Sequence, residues 1–114
     1  MTSAPQRKRN KKWIIAALVA VILFLGDVAV EALGETRKAI EFYERRIEIA
    51  REIGDRRGEG NALWNMSLSF DKLGERARAI EYAEAALRIF EEIESPHAEK
   101  VRNQLAEWRG ESQQ

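Results

Sequence analysis

The chain has 114 residues, enough for one small domain and no more. It holds no cysteine, which excludes a disulfide framework and a thiolate metal site, and its one histidine, His97, leaves no set from which a Ser-His-Asp or Cys-His centre is assembled. Its 19 basic and 19 acidic side chains cancel, but unevenly. Arg7, Lys8, Arg9, Lys11 and Lys12 crowd into the first twelve residues without an acid among them, leaving 14 Lys and Arg against 19 Asp and Glu in the rest.

Residues 1–12 are polar and basic, contain Pro5 and show no periodicity, which predicts a disordered arm. Residues 13–33 follow as an apolar segment. Trp13 to Gly26 runs WIIAALVAVILFLG without a charge, and Asp27 and Glu31 are the first interruptions. Residues 13–30 make an apolar helix of ~27 Å at ~1.5 Å per residue, adequate to span a bilayer with the two acids at its far interface. The anchor is then Trp13, Ile14, Ile15, Leu18, Val19, Val21, Ile22, Leu23, Phe24 and Leu25, with Trp13 beside Lys12 at the interface. This segment favours a membrane over nucleic acid as the partner of the basic arm, and the arm then stays on the cytoplasmic side. Two other readings stand beside it. One is a cleaved signal peptide with Val30-Glu31-Ala32 as the cleavage site. The other is an all-round apolar helix buried inside a secreted or soluble assembly.

From Gly34 onward helix formers dominate and apolar residues recur every three or four positions. Ala39, Ile40, Tyr43, Ile47 and Ala50 make one face of a helix over 36–53. Leu63, Met66 and Phe70 mark a helix over 57–73. Ala79, Ile80, Ala83, Leu87 and Phe90 mark one over 76–93, and Val101, Leu105 and Trp108 a last one over 97–109. No segment keeps a period of two, so no strand is predicted. Gly34 and Gly74 sit where a glycine ends a helix, Gly54-Asp55 closes one helix and caps the next, and Ser95-Pro96 opens the last. Residues 110–114 form a polar tail.

Residues 34–53 repeat in 74–93 at an offset of 40, with nine of the twenty positions identical and the leading Gly-Glu preserved. A period near 40 built from two helices signals a helical solenoid. The string L-G-E-x-x-[KR]-A-I-E-[FY], present at Leu33 and again at Leu73, resembles the turn and second helix of a tetratricopeptide repeat, and Ile53 to Leu63 resembles the linker of the longer, bacterial variety. Ala39 and Ala79 match the small residue at that family's helix crossing, and Asn65 its common asparagine. Ser67 and Asp27 depart from the small Gly or Ala of its first helix. Extending the offset backward lays Leu18–Leu33 over Gly58–Leu73, so the end of the apolar segment also fills the place of a first repeat helix, which cleavage after Ala32 would remove.

The expected fold is all-α: two tetratricopeptide-like hairpins over 34–109 and its approach, with a C-terminal capping helix, preceded by the apolar helix. The resemblance implies a concave groove lined by first helices, with Asn61, Trp64, Asn65, Leu68 and Lys72 as partner-binding candidates. No phosphate-binding glycine motif is present, and the carboxylates of 41–52 alternate with arginines as a solvated helix face does. The chain is therefore expected to be no enzyme, with no catalytic residue, metal, cofactor, small-molecule substrate or nucleic acid. Its partners are another protein or a second copy, and lipid through residues 13–30. It reads as a single-pass scaffold of the bacterial cytoplasmic membrane. A self-assembling oligomer or filament that buries the apolar helix, and an accessory subunit of a larger membrane complex, are the alternatives.

Overall fold

The computed structural model describes the backbone of residues 3–111 and the side chains of residues 11–111. The chain is all-α, with α1 over Ser3–Ile53, α2 over Arg56–Lys72, α3 over Arg76–Glu92 and α4 over His97–Trp108. It divides into two compact units, Met1–Gly34 and Glu35–Gln114.

The first unit is the long apolar N-terminal helix. Its backbone is helical from Ser3. One expectation changes here. Gly34 does not end a helix. It lies inside α1 and is absent from the positive-φ glycines, so the hairpin turn expected there is not made. A single glycine costs a helix about 1 kcal/mol relative to alanine, too little to break it between the helix formers Ala32, Leu33 and Glu35.

The second unit holds the core. Residues 36–53 of α1 contribute Ile40, Ile47 and Ala50, α2 contributes Ala62, Leu63, Met66 and Phe70, α3 contributes Ala79, Ala83, Ala86, Ile89 and Phe90, and α4 contributes Ala98, Val101 and Leu105. Most of these lie on the stripes read from the 3–4 spacing; Ala62, Ala86, Ile89 and Ala98 were not read there, and Ala39, Tyr43, Ile80, Leu87 and Trp108 of those stripes are half-buried. The wholly buried alanines of α3 let its neighbours approach closely. Gly60 does the same from α2: a Cβ there would stand 2.8 Å from Phe90 Cε1, so the glycine that weakens α2 locally gives the Phe90 ring its place. Ser67 is also wholly buried, and its hydroxyl donates to the Trp64 carbonyl at 2.7 Å, so a serine serves where the repeat pattern calls for Gly or Ala.

The turns share one design. At Gly74 (φ +78°) the Glu75 N–H reaches the Phe70 carbonyl and the Gly74 N–H reaches that of Asp71, both at 2.9 Å, the paired bonds of a left-handed helix end. Gly54 and Gly110 take the same conformation. Glu94 (φ 54°) takes it between α3 and α4, the one non-glycine to do so among the described residues. The Asp55 side chain accepts from the Gly58 N–H at 2.9 Å and caps α2, as expected. Ser95 Oγ accepts from the His97 N–H at 3.2 Å at the start of α4.

Candidate functional site

The five groove candidates fall on one side of α2. Asn61, Asn65 and Lys72 are exposed, Trp64 and Leu68 are half-buried, and the row faces away from Ala62, Leu63, Met66 and Phe70. Their spacing of three, four and seven residues puts them on a continuous strip. Among the described residues, neither the side-chain amides of Asn61 and Asn65 nor the Lys72 ammonium makes a hydrogen bond or ion pair, so their donors are free for a partner.

Trp64 does two things. Its ring packs on Trp108 of the capping helix at 6.3 Å, and the Arg76 guanidinium lies over Trp108 at 5.4 Å. It fastens α4 beside α2 while leaving part of its indole at the surface. An aromatic ring flanked by uncommitted amides and a lysine suits an extended or helical peptide, with the ring as anchor.

A charge network on the other side of α2 was not legible in the sequence. Glu59 is buried to 4% and is held by the Arg56 guanidinium at 3.1 Å and by Arg51 of α1 at 3.5 Å. Arg56 Nε also donates to Glu92 of α3 at 3.0 Å. That hydrogen bond holds the Arg56 guanidinium above its ordinary pKa, with the charges of Glu92 and Glu59 adding to it. The buried Glu59 carboxylate, whose two oxygens both face Arg56, ties α2 to residues 36–53 through Arg51, and Arg56 carries the link on to α3 through Glu92. Among the described residues no three His, Asp or Glu side chains gather as a metal-binding set. His97 is exposed and rests against the Phe90 ring at 5.6 Å.

A second exposed feature also went unread. Phe42, Ile49 and Ile53 are 61%, 56% and 71% exposed on the side of residues 36–53 that turns away from the core. The repeat alignment contained the signal, since it equates them with Ile89, which is buried, and with Tyr82 and Ile93, which are half-buried.

The anchor residues Trp13, Ile14, Ile15, Leu18, Val19, Val21, Ile22, Leu23, Phe24 and Leu25 are each 50% or more exposed. By length and composition α1 is apolar enough to cross a membrane. Among known protein families, the one described as Tetratricopeptide repeat matches residues 18–92. No curated protein and no solved structure matches the chain.

Proposed function

We propose, from the premise that this chain belongs to the tetratricopeptide repeat family, that it is a membrane-held docking module with no chemistry of its own. Repeats of this family bind other proteins, and the row Asn61, Trp64, Asn65, Leu68 and Lys72 is where this chain would do so. The observation that carries the reading is that row of uncommitted polar donors around a half-exposed indole. Residues 13–30 would hold the module to a bacterial cytoplasmic membrane, with the five basic residues of the arm on the cytoplasmic side. The uniformly exposed apolar surface of the anchor residues supports this, because such a surface is not stable in water.

The test is capture of a partner from native membranes by the full chain. Asn65→Ala with Lys72→Ala should lower capture about tenfold while helical circular dichroism stays unchanged, as loss of one or two interface contacts does. Undiminished capture would move the binding surface elsewhere. Extraction from membranes by alkaline carbonate without detergent would remove the anchor. A second reading, a homo-oligomer burying the apolar segment between subunits, is favoured by the exposed Phe42, Ile49 and Ile53. It requires a large particle by light scattering in the absence of detergent.

A further inference from the structure

Residues 36–53 carry a second apolar face besides the one that meets the core. Phe42, Ile49 and Ile53 stand seven and four residues apart on one side of the helix. All three are exposed, and a shallow depression lined by Arg46, Ile49, Ala50, Ile53 and Asp55 opens on the same side. The face is not built to receive a helix as α3 does. Its counterparts on α3 include Ala85 and Ala86, of which Ala86 is wholly buried. At those places stand Arg45 and Arg46, which a closely packed helix would take out of water. Among the described residues, the side chains of Arg45, Arg46 and Glu52 make no ion pair or hydrogen bond.

The groups along this face are self-complementary. Phe42, Arg45, Ile49, Glu52 and Ile53 place an apolar group at each end and one in the middle, with a base in one half and an acid in the other. Arg45 and Glu52 are seven residues apart and share one flank. Two copies laid antiparallel and crossing near Glu48 set Phe42 of each beside Ile53 of the other, and Ile49 beside Ile49. They also set Arg45 beside Glu52 twice. At ~1.5 Å per residue each of these pairs is level within about 3 Å. Parallel copies would instead set Arg45 beside Arg46 of the other copy, twice, with like charges facing.

We propose that residues 42–53 form a twofold, antiparallel contact with the same residues of a second copy, with one Arg45–Glu52 ion pair on either side of the twofold axis. This goes beyond the readings above. The surface lies wholly within the second unit, uses none of the row on α2, and is not the apolar segment 13–30. Three apolar side chains per copy fall short of the ~1,200 Å² at which stable complexes begin, so the dimer should be weak and concentration-dependent.

The test uses the full chain in a nonionic detergent, in its natural background without cysteine. Chains carrying Phe42→Cys, mixed with chains carrying Ile53→Cys, should give a disulfide-linked heterodimer on mild oxidation. Its yield should be about fivefold or more above the homodimer yield of either alone, because equal positions are about 14–19 Å apart along the antiparallel pair and a disulfide does not span that. The mixed dimer keeps both ion pairs and one of its Phe42–Ile53 contacts. Arg45→Glu and Glu52→Arg should each weaken dimerisation about tenfold in sedimentation equilibrium. A mixture of the two should recover a heterodimer near the natural affinity, since each carboxylate again meets an arginine. Helical circular dichroism should not change, because the substituted side chains are exposed.

Homodimer links from Phe42→Cys alone that match the mixture would overturn the proposal, since they require parallel or unspecific association. Dimerisation indifferent to the charge exchanges would overturn it, as would a chain that stays monomeric at millimolar concentration. Dimerisation unchanged by Ile49→Asp would overturn it in favour of a contact through residues 13–30.

Discussion

Residues 36–53 and α3 are repeats of one helix, with seven of eighteen positions identical between 36–53 and 76–93, yet their side chains have different fates. Ile89 is 5% exposed and Ile49 56%. Tyr82 is half-buried on Phe70, while Phe42 is 61% exposed. Each helix carries a stripe that meets the unit's core. Only α3 has a second stripe covered, because only α3 is flanked by a helix on both sides, α2 and α4. The pattern of apolar residues along a helix therefore says which faces want cover, and the neighbours decide which are given it. In a repeat array the interface between helices is the unit of stability, so one helix sequence contributes differently at each place it occurs.

The sharpest way to test that contrast is to delete side chains at the covered stripe. Phe90→Ala should remove about 3–5 kcal/mol, because the ring is wholly buried against Gly60 and no small neighbour can refill its volume. For a unit this small, thermal unfolding by circular dichroism should then begin below room temperature or lose its cooperativity. Next comes the matched pair. Ile89→Ala should cost about 2–4 kcal/mol in chemical denaturation, the usual range for a buried isoleucine. Ile49→Ala, at the exposed counterpart, should cost no more than about 0.5 kcal/mol, and a cost approaching that of Ile89→Ala would remove the contrast.

These differences mark what could be read from the residues. The helices of the second unit and their buried stripes were legible, because amphipathic periodicity is a property of the helix itself. The row read on α2 shares one side of the helix, with Asn61, Asn65 and Lys72 exposed and Trp64 and Leu68 half-buried. The turn at Gly34 was misread because Leu33-Gly34-Glu35 is locally the same as Leu73-Gly74-Glu75. What sets Gly74 apart is non-local: α3 packs on α2 where Tyr82 stacks on Phe70 and Phe90 lies against Gly60, beside the left-handed turn. Glu59 was assigned no role from the sequence. It is buried beside Gly60, where the backbone of α2 comes close to Phe90 and Ile89 of α3.

The buried carboxylate gives the next test in size. Glu59→Gln keeps the shape but removes the charge that Arg51 and Arg56 face, and should cost about 1–3 kcal/mol, the range for hydrogen bonds to charged groups. Its counterpart in the first copy is Val19, so no equivalent network ties residues 36–53 to a preceding helix. The Arg56 side of the link does not titrate in the working range. Its folded pKa is raised, so its contribution is complete below the ordinary arginine value and is lost only as pH rises past the raised one. Denaturation midpoints measured from neutral to moderately alkaline pH should show no step attributable to Arg56, and a step there would remove the proposed link to Glu92.

The smallest expected effect concerns the turns. Gly54, Gly74 and Gly110 hold the left-handed conformation at no steric cost, while Glu94 holds it with a Cβ against the following carbonyl. The paired bonds are the same, with the Ser95 N–H on the Phe90 carbonyl at 2.8 Å and the Glu94 N–H on that of Glu91 at 3.2 Å, so the strain is local and nothing else in the turn requires glutamate. Glu94→Gly should stabilise the unit by about 1 kcal/mol, less whatever the freer glycine adds to the unfolded chain, and raise the melting temperature by ~2–6 °C. The converse change at the matching turn, Gly74→Ala, should lower stability by about 1 kcal/mol. If Glu94→Gly leaves the melting temperature unchanged while Gly74→Ala lowers it, unfolded-state entropy cancels the relief at Glu94. If neither moves it, the α2–α3 and α3–α4 turns are set by helix packing alone, and the same must then be asked of Gly34.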